Sequence, residues 1–395
     1  MGKKPLPRLG RAAAPRGDSI KAIDRLRRKA VQRGVTIPSR SRGDFPRVSD
    51  TLCTIRMNRP LTYCTTATFA CCLLAGGCNR DQAAARGPVL YCSIDEEFAR
   101  TILARFESQT GIRPEVLFDS EAGKTTGLVI KIIDEQQSGR RRADVFWSSE
   151  LFNTIALARR GLLEPYDPPT AADIPQRYRD TEHRWTALAV RGRVLAFDPK
   201  QVEAGQVPSR WDQLAGPGLA NRTALANPLF GTTRGHVAAM FALWGPEKGR
   251  QFLNDLRTNG VLIVDGNSTA VRTLMDNRMA FAATDTDDVW VAQQRGASMD
   301  LRYLDMGDGG TLLVPCSVAL IKGSDKQHVR KLIDYLVSAE VERMLAESTS
   351  RNIPVRPRLR EELGLAWPPE TRVEFDAIVD SMDEAVAAVR EILIR

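Results

Sequence analysis

Met279-Ala280-Phe281-Ala282-Ala283-Thr284-Asp285-Thr286-Asp287-Asp288-Val289-Trp290 opens as an uninterrupted apolar run and then turns abruptly polar, with three carboxylates in four residues. The apolar part has the length of a strand buried on both faces. A buried strand that ends in clustered acids is what an α/β protein shows at its ligand crevice. Such crevices lie beyond the carboxyl ends of the strands, where helix N-termini also gather. The plainer reading makes the acids a solvated loop, or caps for a helix starting at Val289. Recurrence of the pattern favours the crevice. Val89–Cys92 runs into Ser93-Ile94-Asp95-Glu96, Asp144–Trp147 into Ser148-Ser149-Glu150, and Thr223–Ala226 into Asn227 to Thr233. Each polar cluster falls at a strand-to-helix turn, so four turns are expected to converge on one cleft.

Outward from these turns, strands and helical periods alternate. Ser93 to Glu96 has capping-box spacing and opens a helix to about Gln109. A strand over Pro114–Phe118, a helix over Gly127–Gln137, a strand over Ala143–Trp147 and a helix over Leu151–Arg159 follow. Trp185 to Phe197 reads as extended, without helical period. A second series has strands at Thr223–Ala226, Val261–Val264 and Met279–Ala283. Its helices are expected near Arg234–Trp244, Gly249–Asn259 and Ser268–Asp276. Thr311–Ile321 is a long strand, and helices are expected over Lys326–Ser338, Ala339–Glu347 and Thr371–Ile394. This is α/β organisation with mostly parallel sheets, in two lobes joined by extended hinge crossings near Trp185–Phe197 and Thr311–Ile321. The division is 88–190 for the first lobe, 191–310 for the second, and 311–395 for the return crossing and C-terminal helices.

The formal charge of +8 suggests nucleic acid until it is divided along the chain. Residues 1–56 hold 15 Lys and Arg against 4 Asp, which leaves 41 basic and 44 acidic residues in the remainder. The body is therefore close to neutral, and no nucleic-acid partner is inferred. Residues 1–56 read as a basic disordered leader, with translation starting at Met57 as the alternative. Met57 to Pro60 is short and basic, and Leu61 to Gly77 carries no charge, so 57–77 reads as a secretory signal. Its end, Leu74-Ala75-Gly76-Gly77-Cys78, resembles the lipobox of bacterial lipoproteins, in which the Cys is acylated. That implies a lipid anchor at Cys78, a tether over 78–87, and a place in the periplasm or at the cell exterior. Cys92 and Cys316 alone would remain in the fold, where pairing and burial as free thiols are both open.

Catalysis finds little support. Three histidines lack zinc spacing, and no Gly-x-Ser-x-Gly elbow occurs. Gly123-Lys124-Thr125-Thr126 is not a phosphate loop, because Phe118 stands where that loop needs Gly. A carboxylate-based hydrolase is the surviving enzyme reading. Binding is favoured, with no catalytic cofactor. Asp95, Glu150, Asp285, Asp287 and Asp288 offer hard oxygen ligands to a cation. Gly231-Thr232-Thr233-Arg234 opens a helix and favours an anion; Ser93, Ser149 and Asn267 are further polar contacts. The set fits a metal bound with a small counter-anion, and equally a zwitterionic solute.

From residue 88 almost to its end the chain resembles the periplasmic solute-binding proteins of ABC importers, specifically the ferric-iron-binding group. The resemblance is carried by Leu90 to Ala99, Ala143 to Glu150, Gly161 to Tyr166, Ala226 to Arg234 and Arg351 to Pro357. It implies the type II periplasmic-binding-protein fold, hinged closure on a solute, a monomer, and ABC permease and ATPase subunits as partners. In that group the site takes a His and a Glu from the first lobe and two adjacent Tyr from the second. Here Asp95 stands at the His position, Glu150 at the Glu position and Asp287-Asp288 at the Tyr pair. The implied ligand is Fe3+ or another hard cation with a counter-anion, and the competing one is a phosphate- or phosphonate-bearing organic solute.

Overall fold

The computed structural model describes residues 87–119 and 126–394. The leader, the signal, Cys78 and all but the last residue of the tether lie outside them. The first lobe is built from β1 (Val89–Cys92), α1 (Glu96–Thr110), β2 (Glu115–Phe118), α2 (Thr126–Gln137), β3 (Val145–Ser148), α3 (Phe152–Arg159) and β4 (Leu163–Glu164). The crossing strand β5 (Thr186–Phe197) leads into β6 (Thr223–Ala226), α4 (Gly231–Trp244), α5 (Pro246–Thr258), β7 (Leu262–Val264), α6 (Asn267–Met275), β8 (Phe281–Asp285), α7 (Thr286–Gln294) and β9 (Asp300–Arg302). β10 (Leu313–Ile321) returns, followed by α8 (Gln327–Leu336), α9 (Ala339–Glu347), α10 (Pro357–Glu362), α11 (Phe375–Asp380) and α12 (Met382–Ile392).

The strands join in the order β2-β1-β3-β10-β5-β8-β6-β7, with β4 on β10 and β9 on β5. Pairings among β1, β2 and β3, and among β6, β7 and β8, are parallel. Every antiparallel pairing involves β5 or β10. The two long strands therefore stitch two parallel sheets into one and form the crossings between the lobes. The expected boundary at 190/191 falls inside β5. Within each lobe the parallel strands are apolar on both faces because helices cover both. In the second lobe Val194, Ala224 and Ala282 pack under Val271, Leu274 and Val289 of α6 and α7. On α5, Phe252, Leu253 and Leu256 are buried, each contributing roughly 1.5–3 kcal/mol by leaving water.

β5 and β10 do not pair evenly. Leu188 lies opposite Cys316 and Val190 opposite Pro315, so Ala189 is an extra residue in the ladder, a bulge with φ 39°. The Ala189 amide, denied a strand partner, donates to Glu342 Oε1 at 2.8 Å, and the Val355 amide donates to the same oxygen at 2.8 Å. Arg356 Nη1 donates to Glu342 Oε2 at 2.8 Å, and both side chains are buried. The bulge is thus held by an ion pair from the C-terminal part of the chain.

Several expected boundaries move, each for a visible reason. β8 begins at Phe281, not Met279, because the Met279 amide still bonds to Thr273 O and completes the turn after α6. β8 also runs on through Asp285, which is paired opposite Arg193. The capping box at Ser93 does not form. Asp95 takes the N-cap position of α1, and Ser93 Oγ accepts the Ser149 amide instead. The single helix expected over Thr371–Ile394 starts only at Phe375, since Glu370 bridges to Thr311 and the Thr371 amide donates to Thr311 O at 2.8 Å, and it divides at Ser381. Cys92 and Cys316 are free and buried. β3 lies between their strands, which puts them roughly 10 Å apart in the sheet, beyond the reach of a disulfide.

Candidate functional site

The cleft collects turns from both lobes and holds about 680 Å³ of space, its open mouth included. Ser93, Asp95 and Ser149 line it from the first lobe; Asn227, Gly231, Thr232, Thr233, Asp265, Asn267, Ser268, Asp285, Asp287 and Asp288 line it from the second. Arg191 projects from the crossing strand β5 into the same space. Three helices start at this cleft, α4 at Gly231, α6 at Asn267 and α7 at Thr286. Their free N–H ends soften the repulsion among the acids. Gly231 has φ 54°, a conformation that suits glycine at the turn into α4.

Asp285 ends β8 at the bottom of the cleft and is the most heavily bonded group there. Its Oδ1 accepts from Arg193 Nη1 at 2.6 Å, and its Oδ2 accepts from Thr232 Oγ1 at 2.7 Å and from Asn267 Nδ2 at 2.9 Å. Arg193 is wholly buried, and a lone guanidinium there would be strongly unfavourable. Asp287, in the first turn of α7, accepts from Arg191 Nη1 at 2.8 Å. Asp288 accepts from Thr284 Oγ1 at 2.9 Å. Burial pushes the Asp288 carboxyl well above the usual range, and the charges of Asp287 and Asp285 push the same way. One oxygen from each of Asp285, Asp287 and Asp288 lies within 4.8 Å of the other two.

Two expected ligands sit elsewhere. Glu150 does not line the cleft; its carboxylate accepts the Phe152 amide at 2.7 Å and the Asn153 amide at 3.3 Å, capping α3. An acid just after a strand serves a helix start as readily as a ligand, which is why the sequence misleads here. Arg234 points away from the cleft, and its Nη2 donates to Asn153 Oδ1 in the first lobe. Ser93 and Ser149 do meet, the Ser149 amide donating to Ser93 Oγ at 2.9 Å, and Thr232 and Asn267 surround Asp285. Thr233 Oγ1 donates to Asn267 Oδ1 at 3.4 Å.

Sequence reasoning missed Arg191 and Arg193. Their signal was present as Val190-Arg191-Gly192-Arg193-Val194, two cations two residues apart, hence on one face of an apolar strand. Such charges demand buried partners. Counting lining side chains, five carboxylates face one guanidinium, so the cleft attracts positive charge.

The profile of the family described as "Bacterial extracellular solute-binding protein" matches residues 143–375. An "Fe(3+)-binding periplasmic protein" of Serratia marcescens is 26% identical over 192 residues, 49% of this chain and 54% of that protein. A "Major ferric iron-binding protein" of Neisseria meningitidis is 25% identical over 295 residues, 73% of this chain and 86% of that protein. Among solved structures, iron-bound HitA from Pseudomonas aeruginosa superposes with a TM-score of 0.66 at 22% identity, covering 78% of this chain and 99% of that one. AfuA from Actinobacillus pleuropneumoniae, solved with fructose-6-phosphate bound, gives 0.65 at 17% identity over 78% and 99%.

Proposed function

The chain belongs to the bacterial extracellular solute-binding protein family, and from that premise we propose that it captures ferric iron, or another hard cation with a small counter-anion, for an ABC importer. The fold is that of the type II periplasmic binding proteins. The observation that carries the cation is the convergence of Asp285, Asp287 and Asp288 in a cleft that Asp95 and Asp265 also line. Carboxylate oxygens suit hard cations. The helix starts at Gly231, Asn267 and Thr286 suit the counter-anion. Ferric-binding relatives support the same cargo. In this reading Cys78 tethers a monomer to the membrane in the periplasm or at the cell exterior. The solute passes unaltered to permease and ATPase subunits.

A second reading places a phosphate-bearing organic solute on those helix starts, with the acids taking its hydroxyls. The AfuA complex favours it.

Calorimetry with ferric citrate, manganese, calcium and fructose-6-phosphate separates the two. Cation binding is expected to release protons and to weaken as pH falls, because crowded carboxyls hold protons that the cation displaces. Asp287→Ala and Asp288→Ala should each weaken it by about tenfold or more. Tight binding of the sugar phosphate with no metal present, and no binding of any of the cations, would replace the first reading with the second.

A further inference from the structure

We propose that Arg191 is a latch between the lobes and the built-in competitor of the cargo: its guanidinium ties Ser149 to Asp287, and a captured cation lifts it off Asp287. The competitor half rests on the cation reading above; the latch half does not.

Arg191 stands on β5, the strand that crosses between the lobes, with its side chain 11% exposed. Nη2 donates to the carbonyl oxygen of Ser149 at 2.8 Å, on the first-lobe turn that follows β3. Nη1 donates to Asp287 Oδ2 at 2.8 Å, on the second-lobe helix α7. A planar guanidinium donates in both directions at once, so moving the lobes apart here breaks one of two charge-assisted bonds. Its Nε lies 3.4 Å from Asp285 Oδ2 yet is buried without a hydrogen bond, so the group is held by its two ends.

Arg193, two residues on, behaves differently. Its bonds run to Asp285, Thr232 and Asn267, all in the second lobe, and to His236. It neutralises Asp285 without spanning anything. Arg191 alone of the pair reaches both lobes. The Arg234–Asn153 bond and the packing of Gly235 against Phe152 also cross between them. Loss of Arg191 should therefore loosen the lobes without separating them.

The competition follows from charge. A guanidinium stays protonated at any accessible pH. A cation drawn to Asp287 meets Arg191 on the same carboxylate, and two like charges a few ångströms apart in a poorly solvated cleft repel strongly. Cation capture and release of the latch are then one event, and an anion arriving with the cation gives the displaced guanidinium a partner.

The test uses the full chain with the five cysteines upstream of residue 79 changed to Ser. Cys92 and Cys316 are buried, so spin labels go to Glu97→Cys and Arg272→Cys, both exposed positions in opposite lobes. With no solute added, Arg191→Gln and Asp287→Asn should each lengthen and broaden the distance between the labels. Against manganese and ferric citrate the two should diverge, Arg191→Gln binding about tenfold more tightly and Asp287→Asn more weakly. Arg191→Lys keeps the charge but not the two-way reach. It should lengthen the distance without tightening binding, and it stands in if the glutamine variant fails to fold. An unchanged distance in Arg191→Gln, or in Arg191→Lys where that stands in, removes the latch. Weaker cation binding in Arg191→Gln removes the competitor. If no protein binds either cation while the distances still lengthen, the cargo reading has failed and the latch stands.

Discussion

His236 is buried against Trp211, the ring centroids 4.2 Å apart, and its Nδ1 accepts from Arg193 Nε at 3.4 Å. Burial, aided by the Arg193 charge, holds the imidazole well below its usual pKa, so it is neutral in the fold. The unfolded chain binds a proton there below about pH 6.5, and the folded chain does not. The stability tied to this residue is therefore complete above about pH 6.5 and declines as pH falls below it, by up to about 1.4 kcal/mol per unit. His236→Asn keeps an acceptor near Arg193 but cannot titrate. Urea unfolding between pH 5 and 7 should show a flatter pH dependence for the variant; equal slopes would mean that His236 is not the titrating group. At this scale the sequence was half legible. Asp285, Asp287 and Asp288 announce themselves because acids directly after an apolar run are conspicuous. Arg191 and Arg193 were as visible, but nothing local says that β5 pairs with β8 and puts Arg193 opposite Asp285. Glu150 was visible and misread, because capping and ligation call for the same residue at the same kind of turn.

Among the elements, α9 has an unusual duty. Its Glu342 is fully buried, accepts the amides of Ala189 and Val355, and pairs with Arg356. Arg356 also donates to the carbonyls of Thr170 and Val337. Glu342→Gln should cost about 1–3 kcal/mol in urea unfolding, since the buried Arg356 guanidinium then keeps only the exposed Asp173 as counter-charge. A loss below about 1 kcal/mol would show that the pair contributes little to the bulge. The strands and most helices were legible, because apolar runs of four or five residues alternate with helical periods through both lobes. The bulge was not. Neither Ala189 nor Pro315 signals which residue will lack a partner, since that depends on the register of two strands far apart in the chain. The helix start at Pro246 was also missed. It lies upstream of the first strongly periodic residues, although proline favours the first helical turn.

At the scale of the whole molecule, charge is divided unevenly. The excess of basic residues belongs to residues 1–56, and the remainder carries slightly more acid than base. Among the described residues no helix is long and apolar enough to cross a membrane, so attachment in our reading depends on Cys78. A bacterial host fed a labelled fatty acid should incorporate it into the chain and not into Cys78→Ser; equal labelling of both, or of neither, would remove the anchor. The two-lobed plan was legible because both crossings are long apolar strands between α/β series. The contacts between lobes were not, since they join Arg191 to Ser149 and Arg234 to Asn153 across large gaps in sequence. The extra residue at Ala189 reaches furthest. Side chains along a strand alternate, so a residue's face is a matter of odd or even count from a fixed point. Leu188 is paired with Cys316, and the ladder resumes at Val190 with Ala189 skipped. Arg191 and Arg193 consequently share the parity of Leu188 rather than that of Ala187. Were Ala189 instead taken into the ladder opposite Pro315, nothing in the composition would change, yet the unbroken ladder would turn both guanidinia to the opposite face. Whether the acids of this cleft meet two guanidinia or none is decided by counting to one.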